Sequence, residues 1–392
     1  MQDDAAPTGS PSTAQVLWQE GPWTLVRLAP DAREAYDAFV GAHAHGDFLQ
    51  GWSWGDLKAK GGWRPHRLAL VRDGQWIAAA SLLERPLPLG ATLLYAPRGP
   101  VLDYADPTLL TAFLGGVRAA MAGRPVLLKM DPDVPDDAGL AQRLRQIGLR
   151  PGRVRGLFGG IQPRHVMRLR LDRPLDAVFA SFTPKGRYNI RLAERRGVVV
   201  EEAGREALPM FWEMLRETSA RDGFGVRPGS YYADVFDHTV GRGQGRVLLA
   251  RIGDAYVAGT WTVHLGDKAW YLYGASTSRY RELMPNYLLQ WEAIRWAHGR
   301  GAKLYDFLGV PATPDPRSRI IGLWRFKERF APDVTHFIGE YDLPLRPAAY
   351  ALWRLADPLF ARSVVALGGM RRVVGAVRRR AGPRVAPVPS HP

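Results

Sequence analysis

The chain has 392 residues, 46% of them hydrophobic, which is enough for a packed core and suggests two or three domains. It has no cysteine, which excludes disulfides, thiolate catalysis and cysteine metal sites, and its nine histidines show no HExxH-type spacing, so no structural zinc is expected. The net charge is +15, which points to an anionic partner, but residues 361–392 hold seven arginines and no acid, leaving 46 basic against 38 acidic residues elsewhere.

Residues 1–15 are acidic and Pro/Ser-rich with no hydrophobic signal core, and read as disordered. Asp31 to Val40 is predicted helical, and Phe48 to Lys60 starts a second helix rich in aromatics. Arg67 to Arg72 and Trp76 to Glu84 are predicted strands, joined by the hairpin signal Asp73-Gly74. A strand at Leu93 to Tyr95 leads into the turn APRGP. A helix at Thr108 to Ala122, a strand at Val126 to Met130 and a helix at Gly139 to Ile147 follow.

The second half repeats this order. RVLLARIG at Arg246 to Gly253 resembles RLALVRDG at Arg67 to Gly74, at an offset of 179, and Leu272-Tyr273 matches Leu94-Tyr95 at an offset of 178. Two copies of one α/β domain, each with a mixed and mostly antiparallel sheet, are expected. Trp270 to Tyr273 reads as a buried strand, and Pro285 opens a helix in which Met284, Leu288, Trp291 and Ile294 recur at helical spacing. Gly299 and Gly301 stop that helix, and Lys303 to Leu308 returns as a parallel strand. Thr335 to Leu343 is predicted as one strand and Pro347 to Phe360 as a helix.

No apolar run approaches the ~18 residues that would span a bilayer, so a cytoplasmic protein is expected. Domain boundaries are placed at 16–165 for the first copy, completed by 335–360, and at 166–334 for the second, with a basic tail at 361–392. In that tail, valine pairs beside arginines between Leu359 and Arg380 suit either a helix on anionic lipid or a disordered basic segment. Phe179 to Gly197 is a basic helix carrying Lys185, Arg187, Arg191, Arg195 and Arg196, either a solvated face or a contact with phosphates.

A strand, crossover helix and parallel strand form a ligand-binding unit in many folds, but an acyl-coenzyme A transferase of this layout would hold pyrophosphate on a glycine-rich loop before the helix. Here Ser276 to Pro285 contains no glycine. The runs LQGWSWGDLK, LYAPRGPVLDY, SFTPKGRYNIRLAERRG, TSARDGFGVRPGSYY, WYLYGAS, MPNYLLQWEAI, YDFLGV, GLWRFKERF and FIGEYDL, in this order over Phe48 to Tyr350, together resemble the Fem-type aminoacyltransferases that build peptidoglycan interpeptide bridges.

That resemblance implies two tandem GNAT-like domains, a duplicated acyltransferase fold, here of the compact type with no coiled-coil arm. It implies aminoacyl-tRNA as donor and no cofactor. The acceptor it implies is a stem-peptide side-chain amine on lipid II or on UDP-MurNAc-pentapeptide. A monomer is expected, with the basic tail a candidate for contact with the inner membrane face. By motif, Lys58, Arg227 and Tyr231 are matched to the phosphate and nucleotide end of the acceptor, and a tyrosine of WYLYGAS is matched by Tyr273 or Tyr271. Phe326 and Lys327 match the pair where the tRNA acceptor end and the reacting ester meet.

Lys327 is the candidate for facing the tetrahedral oxyanion; otherwise it is a surface lysine beside a buried Phe326. Asp306 could accept the amine's proton or cap a turn, with Asp103 as a second candidate and substrate-assisted transfer needing neither. Arg98 is a further anion ligand or a structural turn arginine, and Lys185, Arg187 and Arg191 could meet tRNA phosphates. Two other functions fit the residues: an acyl-CoA N-acyltransferase, or a non-catalytic basic module binding nucleic acid or membrane.

Overall fold

The computed structural model describes residues 14–154, 158–318 and 320–355. The N-terminal segment expected to be disordered and the basic tail lie outside them, except that Gln15 already belongs to a strand. Residues up to Pro344 form one unit. Its chain order begins with β1 (Gln15–Glu20), β2 (Trp23–Arg27), α1 (Arg33–Ala42), α2 (Trp52–Lys60), β3 (Arg64–Arg72) and β4 (Gln75–Pro86). It continues through β5 (Thr92–Ala96), β6 (Val101–Leu102), α3 (Pro107–Ala120), β7 (Pro125–Met130), α4 (Ala138–Gln146) and β8 (Arg150–Pro151). Next come β9 (His165–Arg170), α5 (Leu175–Ser181), α6 (Pro184–Arg195), β10 (Val198–Glu202), α7 (Leu208–Asp222), α8 (Gly229–His238), β11 (Gly245–Ile252), β12 (Ala255–Leu265) and β13 (Lys268–Ser276). The unit ends with α9 (Pro285–Gly299), β14 (Leu304–Gly309), α10 (Ile321–Lys327), β15 (Asp333–His336) and β16 (Tyr341–Pro344). Residues 347–355, in the second unit, are helical and expose Leu352 and Leu355. Among the described residues no helix is long and apolar enough to cross a membrane.

The strands make two sheets, β1-β2-β3-β4-β5-β7-β16-β8 with β6 beside β4, and β10-β11-β12-β13-β14-β9-β15. The core of each has the same plan. Three antiparallel strands lead through a helix to a parallel fourth, β5 to β7 through α3 and β13 to β14 through α9. An antiparallel strand from outside that run then pairs with the fourth: β16 on β7, and β9 on β14.

Local chemistry sets the ends of the elements. Asp73 and Gly74 both take positive φ, as a two-residue hairpin of matching twist requires. Asp106 caps α3 by accepting from the backbone N–H of Thr108 and Leu109, ahead of Pro107 in the first turn. Pro285 begins α9 as the sequence predicts, but Met284 stands just outside the helix at φ 59°. The basic segment 179–197 is two helices, α5 and α6. Phe182 leaves helical geometry, and Thr183 caps α6 by accepting from Gly186 N–H. The strand expected over Thr335 to Leu343 is also two. β15 lies in the second sheet and β16 in the first, and Gly339 at φ 87° lies between them.

One apolar core serves both sheets. Phe48, Trp52, Trp54 and Leu57 from the first half pack with Phe211, Tyr232, Phe236, Trp261 and Trp270 from the second. Phe48 is 5.1 Å from Trp270, ring centre to ring centre. α2 is therefore buried on several sides rather than along one stripe, which is why its tryptophans crowd together in sequence.

Two close contacts fasten the end of α1 and the loop after it to β13 and the turn before β13. Lys268 at the start of β13 donates to the carbonyls of His43, Ala44 and Gly46 at 3.2, 2.5 and 2.8 Å. The turn after β12 also meets the end of α1, where a Cβ on Gly266 (φ +62°) would lie 2.0 Å from the Gly41 carbonyl oxygen. Gly266→Ala is expected to destabilise the fold by about 1–3 kcal/mol from strain alone, with the overlap adding to it, seen as a lower melting temperature. An unchanged melt would show that the halves can slide at this contact.

Candidate active site

A first cluster stands on α2, α8 and β13. Lys58, in the last turn of α2, holds its Nζ 4.3 Å from the ring centre of Trp54 and 5.9 Å from that of Tyr231. The Arg227 guanidinium lies 5.4 Å from the same Tyr231 ring. Tyr231 meets Tyr232 at 5.5 Å, and Tyr232 meets Tyr273 edge-on at 5.3 Å. Trp212 Nε1–H donates to the Arg227 carbonyl at 3.0 Å and steadies the loop before α8.

The structure thus brings Lys58, Arg227, Tyr231 and Tyr273 together from three distant stretches. Burial pushes the Lys58 ammonium below its ordinary value, with Tyr231 pulling it back up. Burial and the neighbouring Tyr231 push the Tyr273 hydroxyl well above its own. Among the described residues neither Lys58 nor Arg227 has an acidic partner, so two uncompensated cations stand beside tyrosine hydroxyls, a donor set suited to an anion. Trp54 and Tyr232 complete it. Trp54 could have been found from its i, i+4 spacing to Lys58 on one helix.

Tyr271 does not belong to this cluster. The pairing of β12 with β13 slips between Trp261/Tyr273 and Thr262/Tyr271, leaving Leu272 as the extra residue of a bulge. The bulge breaks the two-residue alternation, so Tyr273 packs on the core shared with α2, and Tyr271 on the core beneath α9. Tyr271 lies back along its strand, its hydroxyl where a Cβ of residue 274 would be, a place only glycine leaves open.

A second cluster surrounds the end of β14. β13 and β14 pair only from Lys268/Leu304 to Trp270/Asp306 and then part, whereas β5 and β7 stay paired as far as Ala96/Met130. Beside the parted end, Lys327 at the end of α10 is only 3% exposed. Its Nζ donates to the carbonyls of Leu308 at 3.3 Å and Gly309 at 2.8 Å. Burial pushes its pKa down to about 7, against an upward pull from Asp306. The alternative of a surface lysine beside a buried Phe326 is reversed. Lys327 is buried and Phe326 half-buried, with ring contacts to Tyr287 at 5.2 Å and Phe330 at 5.5 Å.

Asp306 is 2% exposed, and both of its oxygens are engaged. Oδ2 accepts from Arg168 Nε at 2.9 Å, and Oδ1 accepts from Leu308 N–H at 2.6 Å. Its geometry is that of a turn cap at Leu308, which sits at φ 59°. Arg168 continues the chain of charges to Asp133, donating to both carboxylate oxygens at 2.9 and 2.5 Å. Asp47 lies among these charges, its pKa pushed up to about 7 by burial, with Arg98 opposing and Asp133 adding to the rise.

The other candidate side chains turn to backbone groups or to solvent. Arg98, buried at φ 54°, donates its N–H to Asp131 at 2.7 Å and its guanidinium to the Pro163 carbonyl at 2.6 Å, over the Phe337 ring. These contacts tie its turn to the neighbouring carboxylate and backbone. Asp103 is exposed and accepts from Ala105 N–H at 2.8 Å, capping its own turn. Arg187 points back to the Ala180 and Phe182 carbonyls and closes the end of α5. Lys185 and Arg191 are exposed on α6.

The described residues contain no group of three His, Asp or Glu that could hold a metal. They contain no helix longer than 15 residues, hence no coiled-coil arm. The profile of the FemAB family matches residues 32–252 and 250–357. The lipid II:glycine glycyltransferase of Staphylococcus haemolyticus is 30% identical over 402 residues, covering 85% of this chain and 96% of the relative. The protein of that name from Staphylococcus aureus is 30% identical over 404 residues, with the same coverage. Among solved structures, FemX shares 29% identity at a TM-score of 0.76, covering 82% of this chain and 98% of that one. The two halves are thus α/β units of one plan, and the chain belongs to the FemAB family.

Proposed function

We propose that the protein transfers an amino acid, glycine, alanine or serine, from aminoacyl-tRNA to the side-chain amine of a peptidoglycan stem peptide, building an interpeptide bridge. The acceptor is lipid II or UDP-MurNAc-pentapeptide, and lipid II is the substrate named for the staphylococcal relatives. The work is done in the cytoplasm or at the inner membrane face. The observation that carries this reading is the parted β13/β14 pair, with the buried Lys327 at its rim and the cation–tyrosine cluster on the same strand, β13.

In this reading Lys58, Arg227 and Tyr231 hold the acceptor's diphosphate, and Tyr273 lines the same pocket. The donor ester is already activated, so the protein mainly positions the reactants and stabilises charge. The neutral amine attacks the ester carbonyl, and the C–N bond forms as the carbonyl oxygen becomes an oxyanion. The Lys327 ammonium faces that oxyanion. The intermediate then expels the ribose oxygen, which takes up the proton lost by the amine, passed within the substrates. Asp306 holds Leu308, and through its carbonyl Lys327, in place. Phe326 walls the site beside it.

The test is incubation of the full chain with a pool of radiolabelled aminoacyl-tRNAs and either acceptor. Label should move to at least one of them. Arg227→Ala should raise KM for the diphosphate-bearing acceptor tenfold or more, because a charge-assisted bond contributes about 1.5–3 kcal/mol. No transfer to lipid II or to the soluble precursor, in lysine and ornithine forms, would refute the proposal.

A further inference from the structure

Helix α6 has a face that neither the core nor the transfer chemistry uses. Its inner side is Gly186, Asn189, Ile190 and Ala193. Its outer side presents Lys185, Tyr188, Arg191 and Arg195, all exposed, at spacings of three, three and four residues that place them in one stripe. Tyr188 is 49% exposed, and Lys185 Nζ lies 4.8 Å from its ring centre. Arg191 rests against Phe179 at 5.4 Å. Among the described residues, none of the three cations has an acidic partner. The ring and the three cations thus face solvent together on one side of the helix.

The position of this stripe is fixed relative to Lys327. Thr183 N–H and Oγ1 both donate to the Arg329 carbonyl at 3.1 Å. A Cβ on Gly186 would lie 2.3 Å from that same oxygen, so only glycine lets the first turn of α6 seat there. Arg329 is two residues beyond Lys327. The stripe therefore starts next to the segment carrying Lys327 and runs away from it for about 15 Å.

Resting on the aminoacyl-tRNA reading above, we propose that this stripe holds the unpaired 3′ end of the RNA donor. Tyr188 is the platform on which a base stacks, and Lys185, Arg191 and Arg195 pair with the phosphates on either side. A duplex would satisfy the cations but offers no free base face to the ring, whereas a single strand satisfies both, without sequence preference. The stripe leads such a strand, with its terminal ester, toward Lys327.

The experiment measures binding of the full chain to a labelled single-stranded RNA ending in CCA, to a blunt RNA duplex and to phosphatidylglycerol vesicles. It also measures KM and kcat with aminoacyl-tRNA. Tyr188→Ala is expected to weaken single-strand binding and raise KM for aminoacyl-tRNA about tenfold, with kcat at saturation and the melting temperature unchanged. Tyr188→Phe should bind as wild type, since the ring remains. Arg191→Ala should lower the salt dependence of binding by about one ion.

Single-strand binding untouched by Tyr188→Ala would overturn the proposal. So would a duplex bound as tightly as the single strand, or stripe variants that lose vesicle binding and keep RNA binding. Tyr188-dependent RNA binding without transfer from any aminoacyl-tRNA would support the stripe and count against the proposed function.

Discussion

Lys327→Met is expected to slow transfer by about 10²- to 10³-fold, the usual cost of removing one oxyanion donor, while making the protein more stable near pH 7. Both effects come from one feature, an ammonium that is buried and, among the described residues, hydrogen-bonded to the Leu308 and Gly309 carbonyls with no direct carboxylate partner. Its folded pKa is about 7 against 10.5 for an ordinary lysine. Between those values the unfolded chain keeps a proton that the folded chain has released, so wild-type stability rises with pH across that window. Below about pH 7 both states are charged, and burying the charge costs on the order of 4–5 kcal/mol. Methionine removes that cost but leaves a carbonyl or two unpaired, for a net gain on the order of 2–3 kcal/mol. Urea melts from pH 6 to 10, run beside single-turnover rates, check both effects. In wild type the rate should fall as pH rises through about 7, because the neutral lysine cannot answer an oxyanion. A variant that is no more stable at pH 7 would refute the buried-charge argument, and an undiminished rate would remove Lys327 from the chemistry.

Arg168→Met should be the most destabilising single change in the shared interior. Arg168 on β9 sits between Asp133, which follows β7, and Asp306 on β14, so it neutralises carboxylates from both halves. Removing one member of a buried ion network strands the rest, at about 3–5 kcal/mol. Burial by itself would raise the Asp133 pKa, but Arg168 reverses this and holds it below the ordinary carboxylate range. In wild type that stabilisation is present above the unfolded value of 3.8 and is lost as pH falls through the lower folded one. Without the arginine, Asp133 becomes a buried carboxyl that prefers its proton. The deficit of Arg168→Met relative to wild type should therefore be largest at pH 7 and above, and shrink toward pH 5. Adding Asp133→Asn should recover part of the loss. A deficit independent of pH, unrelieved by that second change, would mean that shape rather than charge is what Arg168 supplies.

Much of the fold is legible in sequence because local rules and tertiary demands agree. The Asp73-Gly74 hairpin, the Pro285 helix start and the Gly301 stop each place a residue in the only backbone region that suits it. The duplicated RLALVRDG and RVLLARIG runs fall on β3 and β11, at equivalent places in the two sheets. The break inside 179–197 was also marked, by Thr183-Pro184, but a basic periodicity running through it masks the signal.

The sequence by itself determined the order of strands and helices, the repeat, the lack of thiol chemistry and the family motifs that single out Lys58, Arg227, Tyr231 and Lys327. Each of these depends on residue identity or on spacing along the chain. Tertiary structure alone decided that Lys327 is buried, that Arg98 and Arg187 are turned toward backbone carbonyls, that Tyr271 and Tyr273 face different cores, and that residues 333–344 serve both sheets. A charged side chain carries no mark in sequence of whether water or a carbonyl will receive it, and one bulged residue turns a strand's face over. Both depend on which distant surface arrives beside the residue, and that is settled only when the two sheets close on their common core.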